Sequence, residues 1–143
     1  MAIKQLSIFV ENKPGRLAEI TNALSQKNID IRALSIADTT DFGILRLIVD
    51  NPAQAESILK EDGFTVSQTD VIAIGLVDRP GQLAKALSVL QNAGVGVEYM
   101  YAFVSREDGT AAVIFRVENS ALAEANLAKE GFEILSKEDV CKL

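Results

Sequence analysis

Asn-Lys-Pro-Gly-Arg-Leu-Ala at residues 12–18 returns as Asp-Arg-Pro-Gly-Gln-Leu-Ala at residues 78–84, 66 positions further on. The match extends in both directions. Ile8 falls on Ile74, Leu24 on Leu90, Ile29 on Val95 and Ile31 on Val97. Beyond residue 50 the spacing becomes 68, so that Asn51 falls on Asn119, Leu59 on Leu127 and Gly63-Phe64 on Gly131-Phe132. Two inserted residues are one full period of a strand, and a strand pair absorbs them without turning its faces over. Residues 1–70 and 71–143 each carry 7 basic and 10 acidic side chains. The chain reads as one module duplicated, over 1–69 and 70–143. Nothing at the join resembles a Gly/Ser/Pro linker, and Thr65 to Val77 reads as continuously extended, which implies rigid packing of the halves.

Within one module the elements follow from pattern. Ile3 to Val10 has the β-branched and apolar content of a strand. Glu11 to Gly15 is a turn, in which Asn12 is expected to accept from backbone N–H groups and Pro14 to occupy the first helical turn. Leu17, Ile20 and Leu24 then recur at helical spacing, as do Leu83, Ala86, Leu87 and Leu90 in the copy. Lys27-Asn28 ends the first helix, and Gly94, suited to a left-handed cap, ends its counterpart. Ile29 to Ile36 alternates as a half-buried strand, Asp41-Phe42-Gly43 is read as a turn, and Ile44 to Val49 as the returning strand. In the copy that turn is Glu107-Asp108-Gly109. Pro52 to Glu61 is a helix with Ala55, Ile58 and Leu59 inward, Gly63 stops it, and Phe64-Thr65-Val66 begins a fourth strand. The order is β-α-β-β-α-β twice, an α+β chain of two tandem ferredoxin-like modules, each a four-stranded antiparallel sheet with both helices on one face. Modules of this size bury little core alone, so the two are expected to pair side by side into one larger sheet, which also protects strand edges.

Composition removes several functions. The 143 residues include no histidine, which excludes Ser-His-Asp and Cys-His catalysis within one chain and His-based zinc sites. The formal net charge is −6, with 14 basic against 20 acidic residues, and opposes phosphate-backbone or anionic-membrane binding. A single cysteine, Cys141, forms no internal disulfide, no apolar run is long enough to span a membrane, and the first residues lack a signal-peptide pattern. A cytoplasmic protein is expected. Gly94-Val95-Gly96 follows a helix and lacks the third glycine of a dinucleotide loop. The acidic pairs Glu61-Asp62 and Glu107-Asp108 fall on turns.

A strand, Asn-Lys-Pro-Gly-Arg-Leu-Ala, a helix and then Asn-Ile-Asp-Ile-Arg resembles the ACT domain, and so does Asp-Arg-Pro-Gly-Gln-Leu-Ala followed by Gly-Val-Gly-Val-Glu. The resemblance covers nearly the whole chain as two copies. It implies a regulatory, non-catalytic protein that binds a small ligand, an amino acid in the usual case, between paired modules. The turn before one module's first helix then faces the start of a neighbour's second strand. The implied site takes in Asn12, Lys13, Pro14, Gly15, Arg16 and Leu17 with Asn28, Ile29 and Asp30. In the copy it takes in Asp78, Arg79, Pro80, Gly81, Gln82 and Leu83 with Val95 and Gly96. Serine-binding members carry a His-x-Asn pair ahead of Pro-Gly. Here Val10 stands at the His position, Asn12 at the Asn, and Asp30 replaces the Asn of the second strand. In the copy Asp78 replaces the Asn and Gly96 stands where Asp30 did, so both copies depart from the serine-binding pattern.

The chemistry of that site is physically reasonable. A helix N-terminus offers unpaired N–H groups and a partial positive charge to a carboxylate. Gly15, Arg16 and Leu17, or Gly81, Gln82 and Leu83, are placed to supply the donors, and glycine lets a ligand approach the backbone. Asp30 or Asp78 can accept from an ammonium, Asn12 can bond either group, and Tyr99 and Tyr101 are candidates to lie against the ligand side chain. No cofactor or metal is expected. The expected partners are a free amino acid and a second copy or a metabolic enzyme, with ligand binding tightening the paired state. Other readings remain open from residues alone: Pro-Gly as a plain strand-to-helix turn, Asn12 and Asp78 as helix caps, and a ligand-free interaction or dimerisation module. An enzyme has only Arg16 with Asn12 as a phosphate-sized pair, which the copy lacks. RNA recognition would need a basic face.

Overall fold

The computed structural model describes residues 3–38, 41–104 and 109–142. Along the chain run β1 (Ile3–Glu11), α1 (Arg16–Gln26), β2 (Ile31–Asp38), β3 (Phe42–Val49), α2 (Pro52–Glu61) and β4 (Thr65–Val77). There follow α3 (Gln82–Asn92), β5 (Val97–Val104), β6 (Thr110–Val117), α4 (Ser120–Lys129), β7 (Glu133–Leu135) and α5 (Lys137–Cys141). The fold is α+β and the βαββαβ order occurs twice, β4 ending one copy and opening the next. Lys4–Thr69 forms one compact unit, and Asp70 onward, with Ile3, the other.

In the first unit β3 pairs antiparallel with β1 on one side and β2 on the other. The first residues of β4 lie along the free side of β1, where Ser7 Oγ and Thr69 Oγ1 are 3.4 Å apart. Alternation along β1 and β3 sends Leu6, Ile8, Val10, Leu45, Leu47 and Val49 to one face, where they meet Ile20 and Leu24 of α1 and Ala55 and Leu59 of α2. The opposite face of β1 carries Gln5, fully buried, whose Nε2 donates to Ser7 Oγ at 3.1 Å. A buried amide without such a partner would be costly.

The second unit repeats this. β4 pairs with β6 and with β7, and β5 pairs with β6. Ile72, Ile74, Leu76, Val113, Phe115 and Val117 meet Ala86, Leu90, Ala123 and Leu127. Both edge strands carry a register shift at the same place, between Ile31 and Ala33 in β2 and between Val97 and Tyr99 in β5. The extra residues, Arg32 and Glu98, form ion pairs with Asp30 at 2.8 Å and Arg116 at 2.9 Å. Such a bulge changes which side chains share a face. The alternation read from Ile29 therefore does not run unbroken: the strand begins at Ile31. Leu34 and Ile36 sit opposite Leu47 and Leu45 yet remain 60% and 49% exposed, because the helices do not reach over this edge.

Four helices end alike. Ile29 N–H donates to Leu24 O and Asn28 N–H to Ser25 O, both at 3.0 Å, with Asn28 left-handed at φ 58°. Gly63, Gly94 and Gly131 take the same place after α2, α3 and α4. This double bond closes the last helical turn. The starts depart from the reading of the sequence in one respect. Asn51 and Asn119 cap α2 and α4 through their side chains, but Asn12 and Asp78 do not cap α1 and α3; the capping residues are Gly15 and Gly81. Pro14 and Pro80 accordingly lie before the helices and not in their first turns. The proposed turn Asp41-Phe42-Gly43 is also displaced: Phe42 and Gly43 already belong to β3, where Gly43 pairs with Val10. Glu107 and Asp108 lie outside the described residues. Helix α5 was not read from the sequence, although Ser136 and Asp139 form a reciprocal capping box there. The bonds from Ser136 hold the Asp139 carboxyl below the usual carboxylate range.

Chemical denaturation checks two consequences. Asn51→Ala and Asn119→Ala each cost about 1 kcal/mol, the loss of a side-chain cap, whereas Asn12→Ala and Asp78→Ala change stability by less than about 0.5 kcal/mol. Phe115→Ala, which empties a fully buried position, costs about 3–5 kcal/mol.

Candidate functional site

The two Pro-Gly turns have the same backbone. Arg16 N–H donates to Lys13 O at 3.4 Å, and Gln82 N–H to Arg79 O at 3.4 Å. Gly15 has φ 88° and ψ −10°, and Gly81 φ 90° and ψ −13°. Proline followed by a glycine near these angles is the pattern of a type II turn, and here its glycine is also the helix cap. The turn is tied down on its strand side. Asn12 N–H donates to Asp41 O at 3.1 Å and Asp78 N–H to Gly109 O at 2.8 Å. Lys13 N–H and Arg79 N–H reach back to Glu11 O and Val77 O at 2.8 and 2.9 Å.

This arrangement leaves the helix starts open. The first i→i−4 bonds are from Glu19 N–H to Gly15 O and from Lys85 N–H to Gly81 O, both 3.0 Å. Neither helix has a side-chain cap. The donors at Leu17 and Ala18, and at Leu83 and Ala84, therefore point out of the first turn without a capping acceptor. Around the first turn the side chains are charged: Lys13 lies 2.9 Å from Glu11, and Arg16 lies 3.0 Å from Glu19 and 4.0 Å from Glu11. The hydrogen bond and charge of Lys13, then the charge of Arg16, hold the Glu11 carboxyl below its ordinary range. A lowered carboxylate pKa means these pairs persist above the ordinary value and are lost as pH falls through the lowered one.

The units differ in what surrounds the same backbone. Leu17, which shares helical spacing with the buried Ile20 and Leu24, is 44% exposed; Leu83 packs partly against its own core. The residues proposed from the strand start also separate. Asn28 is a left-handed helix terminator, and Ile29 and Val95 are buried at 7% and pack in the two cores. Asp30 is held twice, its N–H donating to Asp50 Oδ1 at 3.1 Å and its Oδ2 accepting from Arg32 at 2.8 Å. In the second unit Gly96 and Glu118 replace Asp30 and Asp50. The Glu118 carboxylate lies so close to Gly96 that a Cβ there would collide with it. A smaller residue before β5 thus accompanies a longer acid after β6.

Three hollows of the first unit hold the proposed residues. Asn12 and Lys13 line one of about 370 Å³ with Glu11, Asp41 and Phe42. Asn28, Ile29 and Asp30 line another of about 340 Å³ with Thr21, Ser25 and Ile31. Arg16 borders a third, also about 340 Å³, walled by Phe9, Phe42 and Phe64, none of which the motif pointed to. The 11 residues of α1 rise about 16 Å, so Gly15 and the Asn28–Asp30 segment of one unit stand at opposite ends of a helix. One small ligand does not touch both.

Among the described residues no cluster of three or more His, Cys, Asp or Glu side chains is arranged to hold a metal ion, and no helix is long and apolar enough to cross a membrane. Tyr99 and Tyr101 are half-buried on β5, opposite Arg116 and Ile114 of β6.

Comparison with known proteins fits this picture. The family described as ACT domain pair matches residues 1–143. No curated protein matches the chain. Among solved structures the chain is similar to protein BT0572 from Bacteroides thetaiotaomicron, with 44% identity and a TM-score of 0.93 over 100% of this chain and 98% of that one. It shares its fold with the ligand-free regulatory subunit of aspartate kinase from Thermus thermophilus, at 16% identity and a TM-score of 0.70 over 92% of this chain and 94% of that one. The regulatory subunit of aspartate kinase from Thermus flavus gives 18% and 0.60 over 90% and 92%. With the duplicated turn, the uncapped helix starts and the twice-repeated βαββαβ order, these matches place the chain in the ACT-domain family, as a tandem pair.

Proposed function

We propose that this protein is a non-catalytic regulatory receptor for a free amino acid, acting in the cytoplasm. The observation that carries the reading is the open start of α1, where glycine at φ 88° replaces a side-chain cap and Leu17 stands exposed beside the free donors. A ligand carboxylate accepts from the Leu17 and Ala18 N–H groups, with the helix dipole adding to the attraction. Gly15 keeps the approach clear of any side chain, and Asn12 is near enough in sequence to bond the carboxylate or the ammonium. The exposed Leu17 meets the apolar part of the ligand. The likeness in fold to regulatory subunits of aspartate kinase supports a regulatory role. The Asn28–Asp30 segment belongs to a different end of its unit, so in this reading the far wall of the site comes from a second copy of the chain. Binding then favours the homodimer by mass action, and a partner enzyme responds to that state.

A second reading draws on the edge strand β2, where Leu34 and Ile36 are exposed: the chain then serves as a ligand-free interaction module through that edge. Calorimetry with each of the twenty amino acids separates the two. A saturable heat from at least one is expected. Leu17→Asp, at an exposed position beside the donors, weakens it at least about tenfold through repulsion of the ligand carboxylate while circular dichroism stays unchanged. Heat from none of the twenty, with the protein folded, overturns the receptor reading.

A further inference from the structure

Each unit has a hollow between the end of its first strand, the start of its first helix and the glycine turn that leads out of its second helix. It measures about 340 Å³ in the first unit and about 290 Å³ in the second. The second unit supplies a cation to its own hollow. Lys85 Nζ lies 5.8 Å from the centroid of the Phe132 ring, and Glu130 and Glu133 line the same space. The ring face carries negative charge density and the two carboxylates add to it, so an ammonium is favoured there.

The first unit has the same construction with different side chains. Phe64 stands where Phe132 does, Asp62 where Glu130 does, and Phe9 and Phe42 add two rings where the second unit has Gly75 and Thr110. Glu11 also lines the hollow, with its carboxylate held by Lys13 at 2.9 Å. The position of Lys85 on the helix, however, is held by Glu19, whose carboxylate turns to Arg16 at 3.0 Å. Arg16 borders the hollow, but its charge is engaged by Glu19 and, at 4.0 Å, by Glu11. One unit thus places its own ammonium against the shared phenylalanine. The other presents more aromatic surface and keeps the Asp62 carboxylate, with an acid where the lysine would be.

We infer that the hollow of the first unit is a binding site for a small organic ammonium ion, seated against Phe64 and flanked by Phe9 and Phe42, with Asp62 balancing its charge. Arg16 lines the hollow, but Leu17 and Ala18, whose N–H groups serve the amino-acid reading, are not among its lining residues. A cation without a carboxylate probes it independently of the amino-acid reading.

Choline and its neutral isostere 3,3-dimethylbutan-1-ol provide the test, read on the full chain by NMR of the phenylalanine ring signals. Choline is expected to shift the Phe64 ring saturably, with a dissociation constant no weaker than tens of millimolar, and the isostere to bind at least about fivefold more weakly. Lys85→Ala is expected to extend choline binding to Phe132. Glu19→Lys, which places an ammonium at the position of Lys85, is expected to abolish the Phe64 response, with an unchanged amide spectrum elsewhere showing that the fold is intact. Equal binding of the neutral isostere, no saturable shift of Phe64, or an undiminished response in a folded Glu19→Lys protein overturns the inference.

Discussion

The backbone of Gly15 and Gly81, held near φ +90°, is the constraint on which the rest depends. An L-residue there pays roughly 1–2 kcal/mol, because its Cβ crowds the following carbonyl. With glycine, one residue both completes a type II turn and caps a helix. The strand arrives at the sheet, proline and glycine reverse it, and the helix departs over the face that carries Leu6, Ile8 and Val10 or Ile72, Ile74 and Leu76. No side chain is left to satisfy the first donors, and the feature that makes the fold efficient also leaves the helix start chemically open.

Duplication preserved the backbone and let side chains diverge. The left-handed residues recur in register: Gly15 with Gly81, Asn28 with Gly94, Gly63 with Gly131. The bulges recur as well, at Arg32 and Glu98. At the left-handed positions the chain's path restricts the residue to glycine or asparagine. Where the path does not constrain the side chain, the units separate. Leu17 is exposed while Leu83 is partly buried, Asp30 with Asp50 becomes Gly96 with Glu118, and Glu19 becomes Lys85. The last exchange reverses a charge beside a hollow whose phenylalanine is retained, Phe64 in one unit and Phe132 in the other.

The repeat, the βαββαβ order, the span of α2 and the apolar spacing of the helices were legible in the chain, because periodicity leaves local marks; the asparagine caps of α2 and α4 emerged from the structure. The Pro-Gly turn was legible as a turn but not as a cap: asparagine or aspartate ahead of proline has the composition of a side-chain cap, and only the structure shows that the helices are capped three residues later, by Gly15 and Gly81, with no side-chain hydrogen bond. Leu17 kept helical spacing yet missed the core, since spacing gives a direction around a helix and not the depth of what covers it.

What the sequence by itself determined is the module, its duplication and the glycine-dependent turn, for these follow from local sterics and from the alternation of apolar side chains. The tertiary structure alone decided which groups meet. It bonded the Asp30 N–H to Asp50 Oδ1, brought Phe9, Phe42 and Phe64 to one hollow from three distant stretches of chain, and set Lys85 over Phe132. Those proximities are products of strand register and helix packing, and residues tens of positions apart carry no local signal of them.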